Sequence, residues 1–200
     1  MINKSFSENI YDLSEFRRFV ESESKINDKT RYELIDGYIF IMESPSVKHQ
    51  RLSKFIYNAF DSYFRRNGGK TPCEVFYAPL DVYLFEAKNG LNNCLNAYQP
   101  DVFVVCDKNK IKERGIEGAP DLVVEIAGKS SYKTDFILKY NNYMRCGVKE
   151  YWIVNERTEQ LIIYFNGGDD MAVKEYRFDD VVKSRLFEGL YIDFASFDNE

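Results

Sequence analysis

The chain has 200 residues, 44% of them hydrophobic and 30% charged, with a net charge of −5 and a pI near 5.2. That length and balance fit one soluble globular domain with a sizeable core and leave little room for a second. No apolar run approaches the ~20 residues that cross a bilayer, and residues 1–12 are polar and acidic, unlike a signal peptide, so the expectation is a cytoplasmic protein without membrane attachment.

The acidic balance argues against a broad phosphate-binding surface, because such binding rests on Lys and Arg. Two local clusters remain open: Arg65, Arg66 and Lys70, and Lys108, Lys110, Lys112 and Arg114. A solvated face explains such clusters equally well. Cys73, Cys94, Cys106 and Cys146 are widely spaced, and the single histidine, His49, gives a zinc site no partners. Reduced, packed thiols are therefore expected. The 16 Phe and 15 Tyr point to an aromatic-rich core.

In chain order, Asp12-Leu-Ser-Glu15 reads as a capping box that opens a helix through about Glu23, with Leu13, Phe16 and Val20 on one face. Segments 30–35 and 38–43 flank Asp36-Gly37, a strong hairpin signal. Ser44-Pro45 precedes a second helix to about Asn67, whose apolar residues Leu52, Phe55, Ile56, Ala59, Phe60, Tyr63 and Phe64 follow i, i+3, i+4 spacing. Three strand-like segments follow at 80–85, 101–106 and 121–127. A third helix is expected over 134–145, stopping at Gly147. Strands are then expected at 151–154, 160–165, 172–178 and 190–194. The pattern predicts one α/β domain over 1–200 around a mixed central sheet, with an N-terminal helix and hairpin and extra C-terminal strands.

Segments 101–106 and 121–127 are nearly continuous apolar runs, as in strands buried on both faces, and polar residues 107–120 can join them as an antiparallel pair. Asp101 then lies beside Glu125 or Ile126. Two carboxylates at ~5 Å repel by roughly 3 kcal/mol at an effective dielectric of ~20, so a proton or a cation must offset them. Hard oxygen ligands favour Mg²⁺ or Mn²⁺. The alternative is a pair of solvated strand ends, but Glu125 interrupts a run where a purely structural strand would hold an apolar residue. On the third helix Phe136, Tyr140, Tyr143 and Gly147 form a stripe on which Lys139 falls. Lys139 pairs either with Asp135, four residues earlier, or with the carboxylates across the sheet.

Tyr32-Glu-Leu-Ile-Asp-Gly37, Pro45-Ser46 with His49-Gln50, Gln99-Pro-Asp101, Gly118-Ala-Pro-Asp-Leu-Val-Val-Glu125 and Gly147-Val-Lys-Glu-Tyr-Trp-Ile-Val154 occur in order. Together they resemble the Uma-type restriction endonuclease family of the PD-(D/E)XK superfamily, over about residues 12–195. The resemblance implies a restriction-endonuclease-like αβββαβ core, a divalent metal (Mg²⁺ or Mn²⁺) on Asp101 and Glu125, and DNA phosphodiester hydrolysis by metal-activated water. The superfamily lysine two residues after the glutamate is replaced here by Ala127. Lys139 matches the position to which it migrates in Uma-type relatives, with Lys129 as a rival. Glu33 is implied as a further acid near the metal, or else an exposed partner of Arg31 or Lys29. His49 and Gln99 are implied as substrate contacts, His49 alternatively as a packing or capping residue. A homodimer is compatible with this reading, since two sites suit two strands. The competing readings are a catalytically idle binding module on the same fold and an interaction protein using its aromatic residues and late strands.

Overall fold

The computed structural model describes residues 9–26, 30–66, 72–86, 94–128, 138–167 and 171–197. Helix α1 (Leu13–Ser24) carries the expected capping box: the Asp12 carboxylate accepts from Glu15 N, and the Glu15 carboxylate accepts from Asp12 N. Strands β1 (Arg31–Ile35) and β2 (Tyr38–Met42) pair antiparallel, and positive φ at both Asp36 and Gly37 closes the two-residue turn. Helix α2 (Val47–Arg66) begins two residues later than Ser44-Pro45 suggested. Its cap is Ser46, whose hydroxyl accepts from His49 N.

The remaining strands are β3 (Glu74–Tyr77), β4 (Val82–Tyr83), β5 (Ala97–Tyr98), β6 (Val102–Val105), β7 (Ile111–Lys112), β8 (Gly115–Glu117), β9 (Leu122–Ala127), β10 (Glu150–Asn155), β11 (Gln160–Asn166), β12 (Met171–Arg177), β13 (Val181–Lys183) and β14 (Tyr191–Asp193). Helix α3 (Tyr140–Cys146) lies between β9 and β10 and ends at Gly147, whose φ of 100° is the left-handed conformation that glycine reaches without strain. Residues 134–137 of the expected third helix, with Asp135 and Phe136, lie outside the described residues.

These strands form a central sheet in the order β12-β11-β10-β9-β6-β3, a second sheet in the order β2-β1-β5-β4-β8-β7, and the β13–β14 hairpin. The central sheet is mixed, because β9 and β10 run parallel across the α3 crossover while its other pairs are antiparallel. Residues 80–85 do not enter it. The strand beside β6 is β3, which the sequence pattern hides because its residues are partly exposed at the sheet edge. Segment 80–85 contributes only β4, in the second sheet.

Alternation along the central strands sends side chains to two cores. Val102, Val104, Val124, Ile126, Trp152 and Val154 face α2 and the C-terminal hairpin, where Phe60 meets Trp152 edge-on. Phe103, Val105, Val123, Ala127, Tyr151 and Ile153 face α3 and the inner side of the second sheet. The even run of burial along β9 and β10 follows from this two-sided cover.

Cys73 and Cys106 form a disulfide, contrary to the expectation of four reduced thiols. Their strands explain it: Glu74 pairs with Val105, so the flanking cysteines stand opposite each other, a proximity that a separation of 33 residues does not reveal. Cys94 and Cys146 are free thiols, each pushed up to about 11 by burial.

Denatured without reductant, the chain is expected to titrate two thiols, and four after reduction. Four without reductant would remove the bond and restore the expected reducing compartment. Gly115 has a φ of 141°, and a Cβ there would sit 2.4 Å from the Asp81 carbonyl oxygen, the acceptor of the Ile116 N–H. Gly115→Ala is expected to cost more than about 2 kcal/mol in chemical denaturation.

Candidate active site

The inner faces of the two sheets meet at the start of α3. Val102 pairs with Val124, so one step further along the antiparallel ladder Asp101 stands opposite Glu125. The next residue closes the contact, with Ile126 N donating to Asp101 Oδ2 at 2.7 Å. Glu125 shares its face with Val123 and Ala127, so its carboxylate enters the core beneath α3 rather than solvent, and it is 4% exposed. The register expected from the two apolar runs is present.

Asp101 is fixed from several sides. Its carbonyl accepts from Ala78 N and from the Ser53 hydroxyl of α2, and its Oδ2 lies 3.2 Å from His49 Nε2. Oδ1 takes no donor among the described residues. His49 reaches this position because the Ser46 cap starts α2 beside the start of β6, so its backbone N–H serves the cap while its ring serves Asp101. Burial pushes the imidazole pKa down, but the hydrogen bond and charge of Asp101, with the field of Glu156, outweigh it and raise the net value.

Lys139 is 2% exposed. Its ammonium lies 3.1 Å from Glu125 Oε1 and contacts both oxygens of Glu33, at 3.2 Å to Oε1 and 3.0 Å to Oε2. The Oε2 contact is Coulombic, since that oxygen makes no directed hydrogen bond. The Tyr98 ring lies 5.5 Å from the same ammonium. Glu33 is fully buried on β1, facing inward with Ile35, and its Oε1 also accepts from Gln99 N at 2.9 Å. Neither Arg31 nor solvent holds it. The Gln99 amide turns away and donates to Asp81 Oδ1. Asp135 and Lys129 lie outside the described residues.

Two features escaped the sequence reading. Tyr143 donates its hydroxyl to Glu125 Oε1 at 2.7 Å, and burial, then the charge of Glu125, hold its pKa well above the ordinary phenol range. Its signal was the i, i+4 spacing from Lys139, obscured because Tyr143 also belongs to an apolar stripe. The second is a polar knot at the hairpin tip. Asn96 Oδ1 accepts from Asp36 N, Tyr98 OH and Asn142 Nδ2, and Asn142 Nδ2 also reaches Asp36 Oδ1 and Tyr98 OH. It docks α3 against the second sheet.

Two members of the basic clusters have partners of their own, and Lys70 lies outside the described residues. Arg65 pairs with Asp61 along α2, and Lys110 donates to the Ala119 carbonyl. Among the described residues, no three His, Cys, Asp or Glu side chains gather as an all-protein metal cage would require.

The chain resembles the uncharacterized protein slr1290 of Synechocystis sp., with 25% identity over 154 residues that cover 76% of this chain and 75% of that one. Its fold matches the crystal structure of a putative nuclease belonging to DUF820 from Anabaena variabilis, with a TM-score of 0.70, 17% identity, and coverage of 93% of this chain and 98% of that one. No helix among the described residues is long and apolar enough to cross a membrane. The family model of Uma2, described as a putative restriction endonuclease, matches residues 13–195, and the chain belongs to that family.

Proposed function

We propose that the protein is a Mg²⁺-dependent endonuclease that hydrolyses DNA phosphodiester bonds, with residues 1–200 acting as one nuclease domain. The observation that carries this reading is the antiparallel register that sets Asp101 opposite Glu125, with Glu125 clamped by Lys139. Glu33 and Glu125 stand against one buried ammonium, and Asp101 against the imidazole of His49, so the carboxylates outnumber the cation. Such a site repels a phosphodiester unless a further cation stands between them.

The residues present fit Mg²⁺ or Mn²⁺ better than zinc. Their donors are carboxylate oxygens, and two protein carboxylates completed by water and substrate suit a metal that keeps much of its hydration shell. Asp101 and Glu125 would hold the ion. When bound, it supplies Lewis acidity and a water of lowered pKa.

The chain's own groups set the geometry around it. Ile126 N and His49 hold one oxygen of Asp101, leaving Oδ1 without a donor among the described residues. Lys139 offsets the charge of Glu125 and helps stabilise charge at the reacting phosphate. Glu33 holds Lys139 in place, and His49 and Gln99 border the path by which substrate phosphate approaches. Two copies acting as a homodimer would address the two strands of a duplex.

Purified protein incubated with DNA and Mg²⁺ or Mn²⁺ is expected to cut it, and Asp101→Ala and Glu125→Ala are each expected to abolish cutting. Cleavage that survives in both variants sinks the proposed site. If calorimetry finds no binding at millimolar Mn²⁺, the idle binding module replaces this reading. Lys139→Met leaves two carboxylates buried without their cation and is expected to cost about 3–5 kcal/mol of stability in denaturant titration. A loss below ~1 kcal/mol would mean that the ammonium is not buried between them.

A further inference from the structure

The nuclease reading assigns the ammonium of Lys139 to Glu125, but the distances divide it. Glu33 contacts Lys139 through both oxygens, whereas Glu125 has one contact at 3.1 Å. Glu33 is the more deeply buried acid, with a single neutral donor in Gln99 N, so it draws strongly on the ammonium. Among the described residues, the shortest bond on Glu125 comes from the Tyr143 hydroxyl, at 2.7 Å to the same Oε1.

Tyr143 can hold this bond because its ring is packed in place. It is fully buried, with the Tyr98 ring at 5.4 Å and the Tyr151 ring at 4.9 Å. Its helix ends one turn later at Gly147, where the Gly147 and Val148 N–H groups both bond back to the Tyr143 carbonyl. Asn142, the preceding residue, is tied into the Asn96 and Tyr98 knot. Hydroxyl and ammonium therefore meet one oxygen of Glu125 from adjacent turns of α3 and set the direction in which that carboxylate faces.

We infer that Tyr143 is a positioning residue for Glu125, the anchor that aims this carboxylate at the divalent cation. The inference rests on the nuclease reading of the acid pair. In this role the phenol acts through Glu125. In metal sites, partners that orient a ligand typically govern affinity or activity by ~10–100-fold.

Tyr143→Phe keeps the ring packing and removes only the hydroxyl. Mn²⁺ binding to the full chain is measured by calorimetry, and DNA cleavage is measured over a Mg²⁺ series, for wild type and variant. The variant is expected to melt near the wild-type temperature, to bind Mn²⁺ about tenfold more weakly, and to lose about tenfold in kcat with KM for DNA unchanged. A folded variant with wild-type metal affinity and kcat overturns the inference. A wild type that binds Mn²⁺ more tightly than the variant but cuts no DNA overturns the nuclease reading and supports the role of Tyr143. A wild type that binds no Mn²⁺ overturns both. If the phenylalanine variant does not fold, 3-fluorotyrosine at position 143 alone keeps the ring and strengthens the donor. An unchanged Mn²⁺ affinity there overturns the inference.

Discussion

The ammonium of Lys139, buried between Glu33 and Glu125, ties three parts of the molecule to one point. Glu33 comes from the hairpin sheet, Glu125 from the central sheet, and Lys139 from the start of α3. Each carboxylate would be costly alone in this interior, and so would the amine. The three are tolerable only together, so the packing of the sheets and the charge balance of the site are a single constraint. The knot of Asp36, Asn96, Tyr98 and Asn142 works alongside it, fixing the same helix to the same hairpin through amides, a phenol and one carboxylate.

This constraint separates the two acids of the central pair. Asp101 sits where β6 begins, partly open, held by a backbone N–H and by His49 from α2. Glu125 sits one strand over, on the face of Val123 and Ala127, held by side chains of α3. One acid is thus held by a side chain of α2 and the other by side chains of α3.

The long apolar elements were legible in the sequence because burial imposes a period on them. Segments 101–106 and 121–127 show continuous hydrophobicity, and Glu125 stood out by breaking it. The capping box at Asp12 and the turn at Asp36-Gly37 are local chemistry and needed no tertiary information. Strand β3 was not legible, since an edge strand with partial exposure on both faces loses its alternation. Strands β4, β5, β7 and β8, of two or three residues each, are too short to carry a period. The Cys73–Cys106 bond and the Tyr143 hydroxyl depend on which strand neighbours which, and on which side of α3 faces Glu125. Spacing along one chain does not encode the first and only hints at the second, through the i, i+4 step from Lys139.

The missing Glu-x-Lys spacing has a structural counterpart. Ala127, two residues after Glu125, points to the same face of β9 and is 1% exposed, so that position is occupied by close packing. The cation arrives from α3 instead and meets the same carboxylate at 3.1 Å. A lysine on the strand would be delivered by strand geometry alone, because residues i and i+2 share a face. A lysine on the following helix is delivered only if the helix docks correctly. That difference gives a reason for the unusual polar investment around α3: Asn142 tied to the hairpin tip, Tyr143 wedged between Tyr98 and Tyr151, and Glu33 fully buried opposite Lys139. The chemistry of the pair is preserved by moving its precision from one strand to the interface between a helix and two sheets.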